Sequence, residues 1–460
     1  MQSHMTDKQI RDVFVECDDF VTRQLSCRTM TLYAYAIDGL VASAFASQYI
    51  LRPITDHLMG QTMDELYHNA LSGQIYNCVA KPCKDLNDLI LKLVNGFCVV
   101  LFPGTGAIAF EVRTGEKRSI SPPTVENTVK GPKDAFTETV RTNTSLLRRH
   151  LRTPKLRLYG TVIGQQSMTY VVVAWIDGVT DPQLVSRMKL RLKDVAQQDL
   201  LTPTAVEESV TGGRATPFPL LQYTERSDKF AQGLLAGRVG LLVDGLPLGY
   251  LAPVDLGYLM YSPEDYGVDA VSSTCIRVLR YGALLLSLLL PGFYIALAVF
   301  HQEMIPLPLL RAIIEARQSV PFSTVTEVLA LLIAFELLQE AGVHLPKSIG
   351  QSVSIIGGIV VGTAAVEASL ISPSALIVVS LAGICGFALP NRDFAEAVRL
   401  CRFALALLGA GAGLFGVTAG VIVLLIHLSG VDSLGVAYLA PFSDMTRLSI
   451  VRPKAGKERK

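Results

Sequence analysis

The sequence lacks the motifs by which most enzymes are recognised. It has no GxxxxGK[ST] phosphate loop, no GxSxG nucleophile elbow and no HExxH metal motif. The run GTGAIAF, which begins at Gly104, lacks the third glycine of a dinucleotide-binding fingerprint. The seven histidines are too dispersed to indicate a site. We therefore expect neither an enzyme nor a bound cofactor or metal.

Paired cysteines, a signal peptide and a charge excess are also missing. The eight cysteines show no CxxC pair and no histidine at zinc-ligand spacing, which is typical of a reducing compartment. The start, MQSHMTDKQIRDVFVECDDF, has no basic stretch followed by an apolar one, so we expect this region to stay in the cytoplasm. Because 41 basic residues nearly balance 40 acidic ones, charge gives no indication of a nucleic-acid partner.

What the sequence has in excess is apolar residues, concentrated in its second part. Half of the 460 residues are hydrophobic and 18% are charged, which is too apolar for an ordinary soluble protein. The block YGALLLSLLLPGFYIALAVF follows directly on Arg277 and Arg280, as expected on the cytoplasmic side of a first membrane span. Pro291 is expected to kink this helix.

The apolar blocks predict a helical membrane domain with four spans. One further segment, FSTVTEVLALLIAFELLQEAG, contains Glu327, Glu336 and Glu340, so we expect an embedded or interfacial helix there and not a lipid-facing span. The basic tail RLSIVRPKAGKERK should be cytoplasmic, which requires an even number of crossings. A five-span alternative places the loop NRDFAEAVRLCR inside and exports the tail. The four predicted spans are 281–300, 354–371, 374–389 and 403–428.

The first part of the chain predicts an α/β cytoplasmic region of two related subdomains. The runs YAYAIDG and YVVVAWIDG each indicate a buried strand ending in an Asp-Gly turn and leading into a helix, and VGLLVDG ends in the same way. Asp38, Asp177 and Asp244 are interpreted as turn residues. The predicted boundaries are 1–150 and 151–270 for the two subdomains, 271–442 for the membrane domain and 443–460 for the basic tail.

Charged and small residues mark two further features. The helix DAFTETVRTNTSLLRRHL ends in Arg148, Arg149 and His150, which we expect on a solvated face in preference to a lipid-headgroup contact. Small residues at spacings of three and four predict close helix packing, either within one subunit or between subunits around an axis. These residues are Gly358 and Gly362 in one apolar block and Gly409, Gly413, Gly416 and Gly420 in the last.

Long motifs in both parts of the chain resemble the spore germination GerA family, the A-type subunits of germinant receptors. The resemblance runs from the first α/β unit to YLAPF, and so covers nearly the whole chain. Gly267 stands where the family usually has a second tyrosine, which bears on the hinge before the first span. The matching motifs are VKGPKDAFTETVRTN (129–143), PFPLLQYTER (217–226), SPEDY (262–266), HQEMIP (301–306) and LPKSIGQSVSIIGGIVVGTAAVEASLISP (345–373).

The resemblance implies a multi-pass subunit in the inner membrane of a bacterial spore, with its N-terminal region in the cytoplasm. Such a subunit acts with a transporter-like B subunit, which binds the nutrient, and with a lipoprotein C subunit. It is thought to form a homo-oligomeric cation channel that is opened by the germinant. A SpoVAF-like branch, which shares the fold and uses a different small membrane partner, remains an alternative.

Three acids are the candidate pore or gating residues. Glu336 and Glu340 lie one turn apart on the acidic helix, and Glu367 ends an apolar block, where it either snorkels or faces a polar lumen. Rings of such acids would attract cations. A non-conducting scaffold or signalling subunit also fits these residues, and a secondary transporter fits less well because the membrane part shows no inverted repeat.

Overall fold

The structure is a computed structural model that describes residues 5–75, 79–112, 126, 132–194, 201–213, 216–266, 268–344 and 362–440. Its contacts divide the chain into two compact units, and each is described by itself. One unit comprises Met1–Arg214 and Leu220–Pro253, and the other comprises Ala215–Pro219 and Val254–Lys460.

The first unit alternates strands and short helices. Its strands are β1 Phe20–Cys27, β2 Met30–Ile37, β3 Ala80–Pro82, β4 Phe97–Phe102, β5 Gly106–Glu111, β6 Leu156–Ile163, β7 Thr169–Ile176, β8 Gln222–Thr224, β9 Val239–Val243 and β10 Gly249–Ala252. Its helices are α1 Asp7–Val13, α2 Ser43–Ala46, which continues through a π-helical turn (Ser47–Leu51) into α3 Arg52–Asp56, then α4 Met63–Leu71, α5 Leu86–Val94, α6 Val140–His150, α7 Pro182–Asp194, α8 Pro203–Thr211 and α9 Ser227–Leu235.

The strands form two five-stranded sheets with the same strand order. The first sheet runs β1-β2-β4-β5-β3 and the second runs β6-β7-β9-β10-β8, with antiparallel pairing throughout both. The central strands β4 and β9 read FCVVLF and VGLLV and are buried along their whole length, as apolar strands covered on both faces should be. The predicted α/β region is confirmed, and its repeated order is the one that a duplicated subdomain predicts.

Besides reversing the chain, the Asp-Gly turns contact helix α6. Gly39 has a φ of +79°, and a Cβ on it would lie 2.8 Å from Ser145 Cβ, so helix α6 packs directly on this turn. Asp244 Oδ1 accepts a hydrogen bond of 2.9 Å from the backbone N–H of Val140, at the start of α6. Asp38 forms an ion pair with Arg141 on the same helix. Turn residues of both sheets therefore hold α6.

At the basic end of α6, Arg148 is buried, which contradicts the prediction of a solvated face for this residue, whereas Arg149 and His150 are partly exposed. Arg148 is 1% exposed, and its guanidinium donates two hydrogen bonds, of 2.7 and 2.8 Å, to the carboxylate of Asp19. Such bidentate pairing compensates a buried arginine well. The sequence could not show this because Asp19 lies 129 positions away from its partner.

His150, the last residue of α6, belongs to a second polar cluster. Its Nε2 lies 2.6 Å from Asp134 Oδ2 and 3.0 Å from Ser227 Oγ, and the Ser227 hydroxyl also donates to Asp134 Oδ2 at 2.7 Å. The hydrogen bond from His150 lowers the pKa of Asp134 to about 2, and the same bond raises the pKa of His150. Both partners meet the same ring nitrogen, so His150 does not relay a proton from serine to aspartate as in a hydrolase triad.

This cluster gives a pH dependence that can be measured. The raised pKa of His150 stabilises the fold below pH 6.5 and loses this effect as the pH rises through the folded-state value. The lowered pKa of Asp134 stabilises it above pH 3.8 and is lost as the pH falls towards about 2. We expect His150→Gln to cost about 1 kcal/mol near pH 5 and progressively less above pH 7.

Urea unfolding of the full-length protein in detergent, followed by the fluorescence of Trp175, measures this effect, because Trp175 is the single tryptophan and lies on β7. His57→Gln, at an exposed histidine of the same unit, is the matched control. An equal loss of stability in His150→Gln at pH 5 and at pH 8.5 would mean that the His150–Asp134 pair carries no charge-dependent stabilisation.

The second unit is helical, as predicted. Its helices are α10 Leu256–Leu259, α11 Ala270–Val299, α12 Leu307–Arg317, α13 Thr324–His344, α14 Pro373–Phe387 and α15 Arg392–Gly430, followed by the short strands β11 Asp432–Ser433 and β12 Val436–Ala437. Two of these helices, α11 and α15, are long and apolar enough to span a membrane by length and composition. Most of the predicted span 354–371 lies outside the described residues, and α14 has 15 residues.

The last predicted span is not one straight helix, because α15 folds back on itself. Its backbone leaves helical geometry at Ala412 and at Gly413, where φ is +61°. A Cβ on Gly420 would lie 2.5 Å from the side chain of Leu405, although residues 15 positions apart in a straight helix are about 22 Å apart. The two limbs, 392–411 and 414–430, therefore run antiparallel. The predicted loop NRDFAEAVRLCR is also wrong, since it forms the start of the first limb.

Candidate functional site in the helical unit

The glycines of α15 lie where backbones approach each other. A Cβ on Gly416 would lie 2.1 Å from the carbonyl oxygen of Leu408 on the other limb. A Cβ on Gly409 would lie 2.6 Å from the carbonyl oxygen of Gly292 on α11. Gly413 forms the turn, and therefore these glycines do not form one stripe along a continuous helix. Small residues permit this close approach of helices.

The other two predicted packing glycines are less informative. Gly362 is buried, and a Cβ there would lie 3.4 Å from the side chain of Leu376 on α14, which is ordinary van der Waals contact. Gly358 lies outside the described residues. The predicted roles of all six glycines at a subunit contact remain predictions.

Glu336 on α13 is paired with two arginines of the first α15 limb. Arg399 Nη1 donates to Glu336 Oε2 at 3.0 Å, and Arg402 Nη2 donates to Glu336 Oε1 at 3.3 Å. Arg402 is 3% exposed, whereas the Glu336 side chain is 43% exposed. Glu396 extends this ionic chain, since it lies 3.5 Å from Arg399 and 3.2 Å from Arg392. With three arginines and two glutamates, this ionic chain of side chains has a formal net charge of +1.

The other two predicted acids are exposed. Glu340 lies one turn further along α13 than Glu336, and Glu367 lies at the end of the short helical stretch 362–367. In the described part of the chain, no group of three metal-ligating side chains could hold a metal ion.

Glu327 is the acid whose position is most unusual. It is 1% exposed, and its Oε2 accepts hydrogen bonds from the backbone N–H and the hydroxyl of Ser372, at 3.0 and 2.6 Å. Ser372 is the N-cap of α14. Sequence reasoning noted Glu327 as an acid of this helix without giving it a role. The available signal was the Ser-Pro start of α14, whose free N–H groups favour a carboxylate.

The two arginines in the first part of α11, Arg277 and Arg280, also have partners. Arg280 donates to both carboxylate oxygens of Asp265, at 2.6 and 2.9 Å, and to the carbonyl of Met260 at 2.9 Å. Arg277 is 1% exposed and stacks on the ring of Tyr261 at 3.9 Å. Both arginines therefore hold the start of α11 in place, a contribution that counting charges around a membrane span does not reveal.

An α/β unit of two like sheets is joined in one chain to a helical unit in which two helices are long and apolar enough to span a membrane. The chain belongs to the GerA family, because the family profile described as "Bacillus/Clostridium GerA spore germination protein" matches residues 8–459. The resemblance stated from the motifs is thereby confirmed.

Individual relatives agree with this assignment. An uncharacterized membrane protein, YfkQ, of Bacillus subtilis (strain 168) is 36% identical over 433 residues, which cover 94% of this chain and 84% of the relative. Spore germination protein A1 of the same strain is 36% identical over 364 residues, covering 79% and 75%. Spore germination protein GerLA of Bacillus cereus is 34% identical over 357 residues, covering 77% and 73%.

A solved structure is similar to part of the chain. It is the N-terminal domain of the A subunit of the Bacillus megaterium spore germinant receptor GerK3, which is 25% identical in sequence. The match covers 54% of this chain and 92% of that domain, with a TM-score of 0.42.

Proposed function

We propose that this protein is the A-type membrane subunit of a spore germinant receptor and that copies of it form a cation channel opened by the germinant. The observation that carries the proposal is family membership across residues 8–459, which includes both the sheets and the helices. The proposed partners are a transporter-like B subunit and a lipoprotein C subunit, in the inner membrane of the spore. The proposed region of conduction is the helical unit.

The direction of the helices supports a cytoplasmic position for both ends of the chain. Gly292 of α11 meets Leu405, and further along α11 Phe300 and His301 meet Gly413, so α11 and the first limb of α15 run in the same direction. The second limb runs antiparallel to the first, so α15 ends on the side on which its first limb begins. The hairpin is therefore proposed to bring the chain back to the side on which α11 starts.

The acids are proposed to border the ion path in different ways. Glu340 and Glu367 are exposed, and in a ring of subunits their carboxylates would attract cations. Glu336 would contribute through its ionic chain, whose charge depends on Arg399 and Arg402. One observation favours the second candidate, a non-conducting scaffold or signalling subunit: the charge of Glu336 is already compensated within the same subunit.

Conductance separates these functions. Purified full-length protein in planar lipid bilayers with a potassium chloride gradient is expected to pass a cation-selective current. A scaffold passes no current, and a transporter gives flux only with its substrate. Heat-denatured protein reconstituted in the same way is the control for leakage caused by detergent or damaged lipid.

A further inference from the structure

Helix α12 is weakly attached to the rest of the helical unit. None of its residues is buried, and Leu307, Leu309 and Ile314 are about half exposed. Its last residue, Arg317, points back to α13, where Arg317 Nε lies 3.6 Å from Glu327 Oε1. An attraction between charges at this depth is stronger than at an exposed surface. Arg317 is thus well placed to fix the position of α12.

The partner of Arg317 is itself tied to another helix. Glu327 uses Oε2 for both hydrogen bonds from Ser372, and the Ser372 hydroxyl accepts from the backbone N–H of Ala375 at 3.4 Å in the first turn of α14. One carboxylate therefore links the end of α12 through α13 to the start of α14. Any change in the Arg317 contact acts on a carboxylate that also binds Ser372, the N-cap residue of α14.

The contact between Arg317 and Glu327 is incomplete. A distance of 3.6 Å exceeds the usual N–H···O range of about 2.7 to 3.2 Å. Both Arg317 Nε and Glu327 Oε1 are buried and make no hydrogen bond within the described residues. Buried polar atoms are normally satisfied, and unsatisfied ones mark places of strain or function. A small displacement of α12 would either complete this pair or separate it.

The chain also connects α12 to the turn of the α15 hairpin. A Cβ on Gly413 would lie 2.9 Å from His301 Cε1 and 3.0 Å from Phe300 Cβ, so the turn rests on the end of α11. Five residues, 302–306, lead from His301 to the start of α12. A shift of the hairpin turn would therefore reach the start of α12 over a short segment, and Arg317 lies at the other end of that helix.

We propose that Arg317 and Glu327 form a latch that holds α12 and the start of α14 in the resting arrangement of the helical unit, and that separation of the pair frees both together. The two arrangements differ in whether the arginine side chain contacts the carboxylate. Release of the latch gates conduction, a consequence that rests on the proposed channel function. The latch itself does not depend on conduction.

Hydrogen–deuterium exchange of the full-length protein in detergent tests the latch directly. Arg317→Gln removes the charge that faces Glu327, and the amides of 307–317 and of Ser372, Ala375 and Leu376 are expected to exchange at least about tenfold faster. Arg317→Lys keeps the charge and should exchange at nearly the wild-type rate. Arg311→Gln, at an exposed arginine of the same helix, is the matched control. If Arg317→Gln leaves the amides of Ser372, Ala375 and Leu376 at the wild-type exchange rate, no latch connects α12 to α14.

A double variant distinguishes loss of the Arg317–Glu327 pair from misfolding of the protein. Arg317→Gln with Glu327→Gln places two neutral amides side by side and should exchange more slowly than either single variant, because no buried charge is left unpaired. Additive increases in exchange would overturn the pairing. In bilayers, Arg317→Gln should raise the current without germinant at least about fivefold over wild type.

Failure of the latch and failure of the channel are distinguishable. If the wild type conducts and Arg317→Gln shows the wild-type resting current, the latch does not gate and the channel stands. If no protein conducts, the channel proposal fails and the exchange rates alone decide whether the latch exists.

Discussion

Gly416→Leu is expected to destroy the α15 hairpin. A Cβ at this position would lie 2.1 Å from the carbonyl oxygen of Leu408, which is backbone and cannot turn aside as a flexible side chain can. Overpacking of this kind costs about 3 kcal/mol or more, because the limbs must separate and lose their contact. Hydrogen–deuterium exchange of the detergent-solubilised protein is expected to show a large loss of amide protection in residues 414–430.

Gly411→Leu is the matched control for this variant. Gly411 precedes the same turn, but a Cβ there meets no atom within 4 Å. The Gly411→Leu variant should therefore unfold as the wild type does.

Native mass measurement of the Gly416→Leu variant decides whether the glycines also contribute to subunit assembly. A smaller oligomer with a fully protected hairpin in Gly416→Leu would place Gly416 at a contact between subunits and contradict the hairpin packing.

Glu336→Gln is expected to destabilise the helical unit more than it alters ion selectivity. Without the carboxylate, the nearly buried Arg402 keeps its charge but loses its partner. Removal of one partner of a fully buried pair costs about 3 to 5 kcal/mol. Because Glu336 is 43% exposed, we expect about 2 kcal/mol for this variant. Chemical unfolding in detergent measures the difference.

A double-mutant cycle with Arg402→Gln isolates the pair. The double variant should lose less stability than the sum of the single variants, since neither charge is then left alone. Glu315→Gln, at an exposed acid of α12, should change stability by less than about 0.5 kcal/mol. A stable Glu336→Gln variant with altered cation selectivity would instead assign Glu336 to the ion path.

The parts of the fold that could be predicted were those with a local signal. Strands ending in Asp-Gly stood out because the apolar run and the turn glycine are adjacent in sequence. The division into a sheet region and a helical region followed from hydropathy alone. Neither inference required knowledge of which distant residues touch.

The missed features all depend on contacts between distant residues. Hydropathy gives the length of an apolar run but not its direction, so the reversal at Gly413 appeared as a continuous span. The burial of Arg148 depends on Asp19, which lies 129 positions away in the sequence. Arg399 and Arg402 were counted as loop charges that set topology, although their partner is Glu336 on another helix. A count of charges cannot anticipate such pairing.

The measurement that tests the proposed function most directly is the reversal potential of the purified full-length protein in a planar bilayer with a potassium chloride gradient. A cation channel predicts a single-channel current whose reversal potential lies close to the potassium equilibrium potential. The absence of any current from protein whose fold and oligomer are intact would contradict conduction and leave the chain as a scaffold or signalling subunit of its receptor.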